Sequence, residues 1–134
     1  MAATHSPRFV QICEQARARI TEISADELVQ QRTEKRLEKH LGEAPGAHLI
    51  DVREDHEWAL GHIPGAVHLG RGILERDIER LFPDVDTEIV LYCGGGYRSA
   101  LAARSLQEMG YTRVRSLAGG FRGWQGAGRP VQNS

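Results

Sequence analysis

From residue 47 onward the chain alternates short apolar runs with stretches whose apolar residues recur every three or four positions. Ala47 to Val52 and the Ile89-Val90-Leu91-Tyr92 run are apolar and branched and predict buried strands, and Arg113 to Leu117 predicts a last strand. Between them the helical spacing returns. Glu54 to Leu60 predicts a short helix closed by Gly61. Gly72 to Phe82 carries Ile73, Leu74, Ile78, Leu81 and Phe82 on one face and is stopped by Pro83, and Ala100 to Met109 predicts a helix ended by Gly110. His62 to Leu69 reads as a turn and a short strand, and Gly119-Gly120 opens a final helix holding Phe121 and Trp124. Strands alternating with helices predict an α/β fold, a central mainly parallel sheet with helices on both faces. A site is then expected beyond the carboxyl ends of the strands.

The first third is patterned differently. Pro7 to Ile20 predicts an amphipathic helix with Phe9, Ile12, Cys13, Ala16 and Ile20 as its apolar stripe. Thr21 to Ser24 is a β-like stretch, and Ser24 with Glu27 three residues on has the pattern of a capping box opening a helix at Ala25. Gln30 to His40 is dense in charge of both signs, a solvated face rather than an RNA-binding stripe, and Gly42 to Gly46 ends it. The expected organisation is an N-terminal helical extension (1–46) packed on a domain (47–130), with a tail at 131–134. The turn-rich end from Gly126 is expected to fray.

Composition narrows the function. The chain has 134 residues, 40% of them hydrophobic, enough for one core. Seventeen basic residues against eighteen acidic ones give a net charge of -1, which recommends neither nucleic acid nor an anionic membrane as partner. No apolar run reaches membrane-spanning length and Met1 to Val10 lacks the apolar region of a signal peptide, so a cytoplasmic location is expected. Cys13 and Cys93 make no Cys-x-x-Cys or Cys/His spacing. His56, His62 and His68 recur every six residues, but they fall on a helix, a turn and a strand that periodicity does not bring together. No metal and no cofactor are expected. Trp58 and Trp124 read as packing anchors.

The candidate chemistry lies in Glu88-Ile-Val-Leu-Tyr-Cys-Gly-Gly-Gly-Tyr-Arg-Ser99, where a strand stops at Cys93 and turns through three glycines into a helix. Glycines accept positive φ and leave peptide N–H groups uncovered, so the loop can form a cradle with a thiol at its floor. The thiolate, not the thiol, is the nucleophile. Converging N–H groups from Gly94 to Ser99, the positive end of the following helix and Arg98 would all favour the anion. Cys13, with only Arg17 one turn away, reads as a small hydrophobe. Asp51 and Arg53, at the end of another strand, read as an ion pair supporting the neighbouring loops.

Taken in order, Leu49-Ile-Asp-Val-Arg-Glu54, Gly61-His-Ile-Pro-Gly-Ala66, Ile89-Val-Leu-Tyr-Cys93, Gly96-Tyr-Arg-Ser99, and Gly119-Gly120 with Trp124 and Pro130 resemble a single rhodanese-like domain, the sulfurtransferase family. The resemblance implies a three-layer α/β fold and a catalytic Cys93 that carries a persulfide sulfur. Gly94, Gly95, Gly96, Tyr97, Arg98 and Ser99 would then form the loop around the terminal sulfur, with Asp51 and Arg53 supporting it. Expected partners are a small anionic donor (thiosulfate or a persulfide) and a thiol or cyanide acceptor, which can be a protein. Four residues separate Cys93 from Arg98, as in sulfur-transferring members, whereas the related phosphatases and arsenate reductases have one more. The alternatives are a persulfide carrier that docks a protein partner and, less favoured by loop length, a phosphatase or arsenate reductase. The loop departs from the strongly basic loops of dedicated thiosulfate enzymes, since Gly94 and Gly95 stand where charge could attract a dianion, and it lacks the Gly-Val-Thr ending of mercaptopyruvate-specific members, so the natural donor stays open.

Overall fold

The computed structural model describes residues 5–40 and 47–133, with the backbone alone for 34–40. Its elements run α1 (Pro7–Arg17), β1 (Thr21–Ile23), α2 (Ala25–His40), β2 (His48–Asp51), α3 (Asp55–Leu60), β3 (Val67–His68), a 3-10 turn (Arg71–Ile73), α4 (Leu74–Leu81), β4 (Ile89–Tyr92), α5 (Tyr97–Glu108), β5 (Val114–Leu117) and α6 (Gly120–Gly126). Five strands form one sheet in the order β1-β5-β4-β2-β3, and every neighbouring pair is parallel.

β4 lies at the centre with all four residues buried. A parallel strand covered on both faces reads as an unbroken apolar run, which is how Ile89 to Tyr92 appear in the sequence. Alternation along the strands divides the core in two. Ile50, Val52, Ile89, Leu91 and Cys93 face Leu74, Ile78, Ala102, Ala103 and Leu106 of α4 and α5. Leu49, Val90, Tyr92 and Leu117 face Leu28 of α2 and Phe121 and Trp124 of α6.

The segment ahead of residue 47 contributes more than helix, because β1 forms one edge of the sheet beside β5. The capping box at its end is formed: the Glu27 amide donates to Ser24 Oγ (3.1 Å) and the Ser24 amide to Glu27 Oε1 (3.2 Å). α1 lies on α5 and buries Cys13 and Ala16, but Ile12 is half exposed, off the stripe assigned to it. The expected helix stop at 42–46 lies outside the described residues.

Two expectations are corrected. The helix after the glycines starts at Tyr97 rather than Ala100, since Gly96 at φ 106° already makes the turn that admits it. The end of the chain does not fray up to residue 133. His62 and Gln132 exchange backbone hydrogen bonds of 2.9 and 2.8 Å, and Trp124 Nε1 donates to the Pro130 carbonyl at 2.7 Å. A turn-rich composition predicted fraying; an anchor on a buried tryptophan overrides it.

Candidate active site

The end of β4 delivers Cys93 to the first turn of α5. Gly96, the residue before that helix, has no side chain to cap the free N–H groups of the first turn. The sulfur does it instead: Cys93 Sγ accepts from the Gly96 amide at 3.1 Å and from the Ser99 amide at 3.3 Å. Both donors sit at the positive end of a 12-residue helix, with their N–H groups aimed at the sulfur. Cys93 exposes 1% of its surface, which leaves a narrow approach.

The sulfur is also linked to a pair of hydroxyls. Ser99 Oγ lies 3.5 Å from Sγ and 2.8 Å from Ser116 Oγ, and both serines are fully buried. As a thiol, Cys93 donates to Ser99 Oγ, which can pass its own proton toward Ser116. As a thiolate, sulfur becomes an acceptor, Ser116 donates to Ser99, and the Ser99 hydroxyl turns to sulfur. Ser116, on β5, was not among the expected site residues. A small polar residue between the arginine and leucine of β5 was the available signal.

The three glycines have different tasks. Of the three, Gly96 takes the positive φ that glycine permits. At Gly94 and Gly95 the need is space: a Cβ on Gly95 would stand 2.7 Å from Nη2 of Arg122, and one on Gly94 3.1 Å from Nη2 of Arg98 and 3.5 Å from that of Arg122. The loop is gripped from the far side as well. The Phe121 and Arg122 amides donate to the carbonyls of Cys93 and Gly94 (2.8 and 2.9 Å), an approach so close that a Cβ on Gly120 would lie 2.5 Å from the Cys93 carbonyl oxygen.

The charged residues fall into pairs. Arg98 reaches across to α3 and holds Glu57 through both nitrogens (2.7 and 3.0 Å), and this partnership lowers the Glu57 carboxyl from 4.5 to about 2. Glu57 was also missed, its distance from the loop in sequence giving no sign of contact. Arg53 is buried over Asp51 (Nη2 to Oδ2, 2.8 Å), donates to the Gly61 carbonyl at 2.7 Å and lies over the Phe121 ring at 4.2 Å. The Asp51–Arg53 pair therefore ties the β2 end to the Gly61 turn and to α6, and none of these hydrogen bonds goes to Sγ. Tyr97 meets His5 and Phe9 of the N-terminal segment edge-on, at 5.2 and 5.9 Å between ring centroids.

His62 and His68 stack on Trp58, at 3.5 and 4.9 Å between centroids, and among the described residues no group of three or more His, Cys, Asp and Glu could hold a metal ion. Both cysteines are free, and burial pushes the Cys13 thiol up from its ordinary value. No helix of the described residues is long and apolar enough to cross a membrane.

A family model described as the rhodanese-like domain matches residues 33–127. The chain belongs to the rhodanese-like domain family. YtwF of Bacillus subtilis is 42% identical over 83 residues, covering 62% of this chain and 78% of its own. The thiosulfate sulfurtransferase GlpE of Actinobacillus pleuropneumoniae serotype 7 is 34% identical over 94 residues, covering 70% of this rhodanese-like chain and 85% of its own. YrkF of B. subtilis is longer, and the chain spans 41% of it. Among solved structures, RPA3614 of Rhodopseudomonas palustris, titled a protein of unknown function and possible tyrosine phosphatase, superposes with a TM-score of 0.76 at 30% identity over 98% of this chain and 99% of its own.

Proposed function

We propose that this rhodanese-like domain is a sulfurtransferase that moves a sulfane sulfur from thiosulfate or a low-molecular-weight persulfide to a thiol or cyanide acceptor, through a persulfide on Cys93. The observation that carries it is the Cys93 sulfur capping the first turn of α5, with the Gly96 and Ser99 amides at 3.1 and 3.3 Å. A group that stabilises one sulfur anion is suited to hold the anionic outer sulfur of a persulfide.

The reaction divides in two. The Cys93 thiolate attacks the outer sulfur of thiosulfate, a sulfur–sulfur bond forms, and the donor's sulfur–sulfur bond breaks with its electron pair leaving on sulfite. The acceptor then attacks the outer sulfur of the persulfide and the Cys93 thiolate departs. Cyanide leaves as thiocyanate and a thiol leaves as its persulfide. The names of relatives such as GlpE support this reading. The resemblance to RPA3614 raises a phosphatase as the second reading. A tetrahedral oxyanion needs donors to three equatorial oxygens, and the short loop from Cys93 to Arg98 weighs against it.

The test is mass spectrometry of the protein after thiosulfate or glutathione persulfide, together with turnover to cyanide. Cys93 should gain one sulfur atom, and Cys93→Ser should lose all turnover while keeping its circular dichroism. Hydrolysis of an aryl phosphate through Cys93 with no sulfur loading would replace this reading by the second.

A further inference from the structure

The loop that would receive an anionic donor carries only one arginine of its own, and that arginine is already spent. Arg98 gives both terminal nitrogens to Glu57, and Arg53 is held by Asp51. A guanidinium neutralised by a carboxylate in this way attracts a second anion weakly. Arg122 differs. It lies on the exposed side of α6, its guanidinium is bonded only through Nε, at 3.4 Å to the Gly94 carbonyl, and it forms no ion pair with any described residue. Its Nη2 stands in the space that a side chain at Gly95 would claim, 2.7 Å from a Cβ there, and in ordinary contact distance, 3.5 Å, of one at Gly94. Gly95 makes room for a cation delivered from α6.

We infer that Arg122 is the specificity-determining cation of this site: it seats the oxyanion end of a doubly charged sulfur donor over Gly94 and Gly95 while the donor's outer sulfur is led to Cys93. This deepens the sulfurtransferase reading and rests on it for the identity of the donor. Arg122 touches the end of the donor that departs and not the sulfur that is transferred. A point charge also predicts a dependence on donor charge. Its attraction for thiosulfate is about twice that for a singly charged thiosulfonate at the same distance, and water around an exposed guanidinium keeps both modest.

Two measurements test it. In the first, calorimetric titration of thiosulfate into the Cys93→Ser protein, which binds without reacting, is repeated with Arg122→Gln and Arg122→Lys added. Binding should weaken about tenfold with Gln and much less with Lys. In the second, Arg122→Gln in the otherwise native chain should raise the KM for thiosulfate about tenfold and that for benzenethiosulfonate only about threefold, with both losses shrinking in high salt. Gly95→Ala, whose methyl would displace Nη2, should move KM in the same direction as Arg122→Gln. Thiosulfate binding that ignores Arg122, no thiosulfate binding at all, or equal losses for the two donors would each overturn the assignment. A protein that binds thiosulfate through Arg122 but never loads sulfur on Cys93 would instead sink the sulfurtransferase reading and leave Arg122 an anion-binding residue.

Discussion

Glu57→Gln probes the clasp between α3 and the loop helix, and its effect on stability should depend on pH in a defined direction. The Arg98 fork lowers the folded-state pKa of Glu57 from 4.5 to about 2, so the folded chain prefers the carboxylate more than the unfolded chain does. The resulting stabilisation is complete above about pH 5, declines as pH falls below 4.5, and is gone below about 2. Were the pair enclosed, a lowering of this size would correspond to about 3 kcal/mol. With 26% of the Glu57 side chain and 32% of the Arg98 side chain exposed, solvent screening reduces it to about 1–2 kcal/mol. Glutamine keeps the shape and one acceptor but not the charge. Urea unfolding at pH 7 should therefore find Glu57→Gln less stable by about 1–2 kcal/mol, and the gap should shrink to about a quarter of that as pH is lowered to 2.5. A gap that stays constant from pH 7 to 2.5, or that is absent at pH 7, would show that Arg98 and Glu57 do not form a charged pair in solution.

Other substitutions test the framework around the sulfur. Gly120→Ala places a methyl within 2.5 Å of the Cys93 carbonyl at a φ of +55°, and should cost about 2–4 kcal/mol in urea unfolding; a cost under 1 kcal/mol would mean that α6 does not grip the loop. Ser116→Ala leaves the buried Ser99 hydroxyl with only the distant sulfur contact and should destabilise by about 1–2 kcal/mol, whereas a neutral result would remove the hydroxyl pair from the site. Because Cys13 is fully buried and its thiol is pushed up, iodoacetamide should leave it unlabelled in the folded protein and label it in urea, as read by peptide mass spectrometry. Labelling of Cys13 under native conditions would mean that α1 detaches from α5.

Much of the architecture follows from local rules. Strand and helix periods, the Ser24–Glu27 capping box and the helix breakers at Gly61, Pro83 and Gly110 involve residues a few positions apart, so the chain displays them directly. The placement of Cys93 at a strand-to-helix junction is of the same kind, because an apolar run, a glycine turn and a helix in immediate succession leave the backbone few ways to go. Of the three glycines after Cys93, Gly96 takes positive φ, since a single left-handed residue suffices to start α5.

What surrounds the sulfur was decided at longer range. Glu57 meets Arg98 across 41 positions, Arg122 reaches Gly94 across 28, and Ser116 reaches Ser99 across 17. These meetings follow from the strand order, which sets β5 beside β4 and brings α6 back onto the loop, and hydrophobic burial selects that order without regard to which polar side chains it joins. The sequence alone determined the α/β pattern and the residue at the floor of the loop, because both depend on neighbours along the chain. Which arginine is neutralised, which is left to meet an anion, and why Gly94 and Gly95 bear no side chains depend on neighbours in space, and only the folded structure decides those.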